Sequence, residues 1–239
     1  MTVVDRLVEL DVVPEPILRR AIRANLRRRL RRERARSAEE RRAFVDGLRA
    51  SPIALEPSKP NEQHYEEPPE FFELVLGPRL KYSACLWEPG TSSLAEAEEA
   101  MLALTCERAR IEDGMEILDL GCGWGSFSLY AAERFPGARI TAVSNSRVQG
   151  RWIEARAPSN VAVVTADVNE LTLDRRFDRV VSIEMFEHLR NYERLMAGIA
   201  RLLDPGGLLF VHLFCHRELA YPFSDGWMAR NFFTAGLMP

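Results

Sequence analysis

From residue 111 onward the apolar residues gather into five short runs: MEILDL (115–120), ARITAVS (138–144), NVAVVTA (160–166), FDRVVSI (177–183) and GLLFVHLF (207–214). Each has the length and β-branched content of a buried strand. With one exception, stretches of helical periodicity such as GSFSLYAAERF and YERLMAGIARLL separate them. Strands alternating with helices predict an α/β fold with a doubly wound, mostly parallel sheet and helices on both faces.

The first half of the chain has a different rhythm. Leu18, Ile22, Leu26 and Leu30 recur every fourth residue and form one narrow stripe of a helix whose other faces carry arginine. A second helix is predicted over SAEERRAFVDGLRA, with Ser37 as N-cap and Glu40 at the capping-box position. Residues 1–50 therefore read as a basic helical region, and the proline-bearing stretch 51–63 as a linker. Residues 64–110 follow as a helical cap, with PPEFFELVLG opening on proline and ending at Gly77, and SSLAEAEEAMLALTCERARI carrying acids in its first turns. Residues 111–239 form the main domain.

Charge changes the picture in one place. Residues 19–36 hold ten Arg against one Glu, a local charge of +9, which leaves −12 for the remainder of a chain whose net charge is −3. Such a helix either docks its stripe on the acidic main domain or makes weak contact with an anionic membrane surface. Nucleic acid is not expected as a partner, because no aromatic residue interleaves the arginines to stack on bases. The four cysteines are dispersed with no CxxC pair, which argues against a disulfide framework and a structural zinc site, and no metal is expected. With no apolar run long enough for a membrane span, the expected setting is cytoplasmic.

The candidate chemistry begins where the first strand ends. In LDLGCGWGS, Asp119 precedes Gly121, Gly123 and Gly125 at alternate positions. Glycines there let a ligand approach the backbone at the carboxyl end of a strand, although a plain tight turn would use them too. The G-x-G-x-x-G dinucleotide fingerprint is not met, and the second strand ends in Ser144 and Asn145 rather than an acid, which weakens a dinucleotide reading.

The stretches YSACLWEPGTSSLAEAEEAMLALTCERARI, ILDLGCGWGSFSLYAAERFPGARITAVSNSRVQ, VVSIEMFEHLRNYERL and FVHLFCHRELAYPF resemble S-adenosylmethionine-dependent methyltransferases of the cyclopropane-fatty-acid-synthase superfamily. Within it they are most similar to the coclaurine N-methyltransferase branch. The resemblance covers residue 61 to the end and implies a class I methyltransferase, Rossmann-like sheet of seven strands, of which only five are reached before residue 239. It implies S-adenosyl-L-methionine as cofactor and a small-molecule amine as substrate. By the same resemblance Tyr82 and Ser83 close over the methionine moiety, and Asp119, Gly121, Gly123 and Gly125 cradle the cofactor. Ser144, Asn145 and Gln149 would face its ribose, and Asp167 and Val168 its adenine. Asp167 is also a natural turn cap, and Tyr82 reads equally as an ordinary half-buried tyrosine.

The fourth strand runs into Glu184, Glu187 and His188, which the resemblance makes the catalytic group. An amine must have its lone pair free to accept a methyl group, and a carboxylate or imidazole can hold an ammonium and remove its proton. If the chain turns helical after Ile183, Glu184 and His188 share a face, as a base and its helper would. Glu187 is either an anchor or a further polar ligand, unless it serves only the helix dipole. Two departures from cyclopropane synthases point to an amine: Glu184 stands where they typically have glycine, and Ala84 where a cysteine helps to hold bicarbonate. His212 matches a bicarbonate-assisting position and keeps lipid cyclopropanation as the alternative. A non-catalytic, cofactor-binding or membrane-associated remnant is the reading of another class.

Overall fold

The computed structural model describes residues 12–55, 68–223 and 236–239, together with the single residues Arg6, Leu10, Trp227 and Ala229. Most of the 51–63 linker and much of the C-terminal NFFTAGLMP lie outside the described residues. Among the described residues, helices α1 (Glu15–Arg34), α2 (Ala38–Ala50), α3 (Pro69–Val75) and α4 (Leu94–Arg108) precede the sheet. The main domain follows as β1 (Glu116–Leu120), α5 (Ser126–Arg134), β2 (Arg139–Ser144), α6 (Arg147–Glu154), β3 (Val161–Thr165), β4 (Phe177–Ile183), α7 (Tyr192–Leu202) and β5 (Leu203–His212).

The five strands form one parallel sheet in the order β3-β2-β1-β4-β5, the order of class I methyltransferase, Rossmann-like sheets. β1 lies at the centre, and the chain leaves it toward β2 on one side while β4 pairs on the other. The carboxyl ends of β1 and β4 thus flank the switch point at which open α/β sheets bind ligands. Neighbouring residues of β1 serve opposite faces. Ile117 packs with Leu102, Phe127 and Ile140 on one, and Leu118 with Phe177, Val180 and Ile199 on the other. That is the period of two expected for a strand covered on both sides.

Strand β5 starts before the expected run. It opens at Leu203, yet its register against β4 jumps from Phe177↔Leu203 to Arg179↔Leu208. The intervening Asp204–Gly207, with Gly206 in the left-handed region, is extruded as a bulge. Beyond it, β6 (Tyr221–Pro222) and β7 (Leu237–Met238) pair antiparallel as a separate two-stranded unit rather than extending the sheet.

The N-terminal helices are held by polar contacts. α2 has the expected capping box, with Ser37 and Glu40 each satisfying the other's backbone N–H. The stripe of α1 is docked only in part: Leu18 and Leu30 are half-buried, whereas Ile22 and Leu26 stay exposed. Its attachments are Arg34 to Glu218 at 3.0 Å, and Arg29 to the Pro222 carbonyl and over the Tyr221 ring. No helix among the described residues is long and apolar enough to cross a membrane.

One residue ties α2 to the sheet domain. Buried Asn191 caps α7 by accepting from the Arg194 N–H, and its amide group donates to the carbonyls of Arg49 and Ser51 at 2.7 and 2.8 Å. Losing a helix cap and two buried donors removes about 3 kcal/mol of stability. Asn191→Ala should show that loss in urea unfolding. Asn191→Asp, which keeps the cap but sets a buried acceptor against the two carbonyls, should lose at least as much. A drop below 0.5 kcal/mol in Asn191→Ala would contradict this account.

Candidate active site

β1 leaves the core at Asp119 and Leu120, and the backbone then passes through the left-handed region at Gly121, Gly123 and Gly125, with φ of +85°, +54° and +75°. Two of these glycines permit close packing: a Cβ on Gly121 would lie 2.5 Å from Met185 Sδ, and one on Gly125 2.9 Å from Ile153 Cγ1. At Gly123 a Cβ would project into open space. The turn is fastened to the end of β2, because the N–H groups of Gly121 and Cys122 both donate to the Val143 carbonyl.

A cavity of about 70 Å³ opens there, lined by Lys81, Tyr82, Ser83, Asp119, Gly123 and Glu184 among others. It has room for the tail of a ligand, whose larger part must lie over the open strand ends. Larger grooves of about 620 and 450 Å³ lie elsewhere, one beside α4 and the end of α5, the other between α3, α5 and α6. We favour the small cavity as the site because its polar groups converge at the switch point of the sheet.

Glu184 terminates β4 with φ of +49°. Its N–H donates to the His212 carbonyl at 2.7 Å, and its Oε1 accepts from the Ala84 N–H at 2.9 Å. Leu80, on the facing segment, is likewise left-handed at +48°. Non-glycine residues in this region cost about 1–2 kcal/mol each, and of the three such residues among those described, two line the cavity.

The chain does not become α-helical after Ile183. Glu184 lies in a bend, and a single 3₁₀ turn spans Phe186–His188. The shared helical face expected for Glu184 and His188 is therefore absent, and the two side chains are presented by different local geometries. Glu187 is buried, with Oε2 lacking a hydrogen-bond partner. Burial, reinforced by the charge of Glu184, raises its carboxyl to about 7. His188 is half-buried on the same turn.

Asp119 is fully enclosed and accepts from Ser128 Oγ at 2.6 Å. Burial raises its carboxyl to about 7, against the lowering effect of that bond and of the Lys81 charge. At the end of β2, Ser144 Oγ donates to Gln149 Oε1 at 2.8 Å, both side chains are buried, and Gln149 Nε2 has no partner. Asn145 beside them is exposed. After β3, Asp167 Oδ1 accepts from the Asn169 N–H, a side-chain turn, and Val168 packs on the core under the sheet. The cavity thus gathers Tyr82, Ser83, Asp119, the glycine turn and Glu184. Ser144, Asn145, Gln149, Asp167 and Val168 follow along successive strand ends, and Glu187 and His188 lie on the turn after Glu184.

Two residues of the site had no marker in the sequence. Buried Glu98 of α4 accepts from the backbone N–H groups of Arg79 and Lys81, 3.0 Å each, and so shapes the segment that carries Tyr82 and Ser83. It stands in an acidic run, AEAEEA, where nothing distinguishes it from its solvated neighbours. Lys81 is the other: it is buried at the cavity wall, with Nζ donating to Ser83 Oγ at 2.5 Å.

The sequence profile of the mycolic acid cyclopropane synthetase family matches residues 55–239. The chain belongs to this family. An (S)-coclaurine N-methyltransferase of Thalictrum flavum subsp. glaucum is 39% identical over 243 residues, covering 97% of this chain and 67% of that protein. The crystal structure of a coclaurine N-methyltransferase bound to N-methylheliamine and SAH is 38% identical with a TM-score of 0.88, covering 98% of this chain and 72% of the other. A mycolic acid cyclopropane synthase complexed with SAH and CTAB is 27% identical with a TM-score of 0.65, covering 77% and 71%. This cyclopropane synthetase family member thus aligns with the N-methyltransferase over nearly its whole length, N-terminal helices included, and with the synthase over about three quarters.

The buried Glu187 generates a pH dependence. Its folded pKa near 7 exceeds its ordinary value of 4.5, so it stabilises the ligand-free fold at low pH and that contribution is lost as pH rises through 7. Glu187→Gln carries no charge at any pH. Relative to the parent it should gain on the order of 2 kcal/mol between pH 5 and pH 8 in urea unfolding. The same stability difference at both pH values would show that burial does not control this carboxyl.

Proposed function

We propose that this protein is an S-adenosyl-L-methionine-dependent methyltransferase that methylates the nitrogen of a small-molecule amine. The observation that carries the reading is Glu184, a carboxylate placed by strained backbone at the end of β4, in one cavity with Asp119 and the glycine turn. In the cyclopropane synthases that the sequence resembles, this position is typically glycine, for which a left-handed φ is free. Here glutamate accepts a backbone cost of about 1–2 kcal/mol, and a carboxylate is what it brings.

The residues present fit the cofactor. The open space above Gly123 leaves room for a ligand against the backbone, and the unpartnered Gln149 Nε2 supplies a buried donor at the next strand end. When bound, the cofactor supplies a methyl group on a positively charged sulfur, open to attack by a lone pair. The work of the chain is to bind the amine, orient its lone pair and receive its proton. Glu184 has one oxygen held by Ala84, which fixes the carboxylate, and its negative charge attracts an ammonium. Glu187 and His188 on the adjoining turn are the further groups we assign to proton removal. A neutral alkene offers no proton to remove before attack and gains little from these carboxylates.

The second reading, methylene addition to a lipid alkene, is favoured by the family profile and by His212. The carbonyl of His212 holds Glu184, and burial lowers the pKa of its imidazole.

Two experiments test the assignment. Gly123→Asn tolerates the left-handed backbone while filling the cradle, and should weaken S-adenosylhomocysteine binding tenfold or more in calorimetry. Unchanged affinity in the folded variant would remove the cofactor from this turn. Glu184→Gln keeps the acceptor for Ala84 but cannot take a proton. It and His188→Ala should each lower turnover on an amine panel by about 10²-fold while leaving cofactor affinity intact. Amine turnover within threefold of the parent in Glu184→Gln, or preference for unsaturated phospholipids, would favour the lipid reading instead.

A further inference from the structure

Lys81 is 3% exposed, yet it takes part in no ion pair within 4.0 Å among the described residues. Its ammonium has three donors, and one is used, on Ser83 Oγ at 2.5 Å. Glu98, the buried carboxylate of α4, spends its two oxygens on the backbone N–H groups of Arg79 and Lys81 rather than on the Lys81 side chain. Asp119 and Glu184 act on Lys81 only through their fields, and burial outweighs them to lower its pKa. A buried cation with two unspent donors at the wall of a cavity calls for an anion in that cavity.

The acceptor proposed above cannot supply it. An amine arrives neutral or cationic, and a lysine is repelled by the cationic form. The cofactor does carry one anionic group, the carboxylate of its amino-acid tail, and the cavity beside Lys81 has room for a tail and little more.

We propose that Lys81, together with the Ser83 hydroxyl, holds the α-carboxylate of the cofactor's methionine tail. The inference rests on the cofactor reading and adds to it a residue and a contact. Lys81 Nζ would give the carboxylate a charge-assisted bond, and Ser83, which now accepts from Lys81, would turn its own O–H toward the second oxygen. Asp119, lining the same cavity, is left to attract the ammonium of the tail. The pair of opposite charges reads the zwitterion, while Glu98 fixes the Lys81 backbone so that its side chain enters the site from one direction.

Calorimetry with two probes tests it: S-adenosylhomocysteine, and its decarboxylated analogue, which keeps the nucleoside, the sulfur and the amino group. The parent should bind the decarboxylated probe at least tenfold more weakly. Lys81→Met should lose at least tenfold for S-adenosylhomocysteine and stay within threefold of the parent for the decarboxylated probe, and Lys81→Arg should recover part of the loss. Equal affinity of the parent for both probes would overturn the proposal without any variant. So would Lys81→Met if it weakened both probes alike or left S-adenosylhomocysteine binding unchanged. If the parent bound neither probe, the cofactor reading itself would fail and this inference with it.

Discussion

The site depends on the backbone turning left-handed where β1 and β4 leave the sheet. A parallel sheet covered by helices on both faces keeps its strand edges and faces out of reach, so a ligand can meet the backbone only at the strand ends. At β1 the turn is made by glycines, which adopt positive φ without a Cβ clash. Gly121 and Gly125 give up their side chains to Met185 and Ile153, and Gly123 to nothing but space. At β4 the same turn is made by Glu184, against the preference of any residue with a Cβ. The difference between the two ends separates a surface without side chains from one that presents a carboxylate.

Around those turns the electrostatics are unusual for a buried region. Asp119, Glu98, Glu184 and Glu187 converge with Lys81 as the buried cation among them. Burial drives the carboxyls of Asp119 and Glu187 up to about 7 and the ammonium of Lys81 down, so each group resists its own charge in the ligand-free protein. A zwitterionic ligand with a further positive centre would reverse those penalties by supplying the missing partners. The energy stored in unpaired buried charge thus becomes available for binding.

The segment that carries Tyr82 and Ser83 is bound to this arrangement twice. Glu98 of α4 takes two of its N–H groups and Glu184, just after β4, a third, at Ala84. One carboxylate therefore both lines the cavity and fastens the strand end to the segment above it. The aromatic contacts of Phe72 with Tyr82 and Trp124 close the outer side. In this cyclopropane synthetase family member, Glu184 thus serves as the acceptor for that N–H while its carboxylate lines the cavity.

The sequence alone determined the α/β class, the five strands, the capping box of α2 and the glycine turn, because each is written in local periodicity or in residues with particular backbone preferences. Family resemblance added the site residues and the chemistry. Tertiary structure decided what depends on contacts distant in sequence. Helical continuation after Ile183 was the natural local reading of EMFEHL, but the bond from the Glu184 N–H to the His212 carbonyl extends the sheet by one residue and forces a bend instead. The bulge in β5 arises from register against β4, which no run of apolar residues encodes. Docking of the α1 stripe was expected as one of two outcomes, and Ile22 and Leu26 remain exposed because the helix is held by arginine contacts near its end. Lys81 and Glu98 looked like ordinary charged residues. Only the fold buries them, and burial is what turns a solvated charge into one that requires a partner.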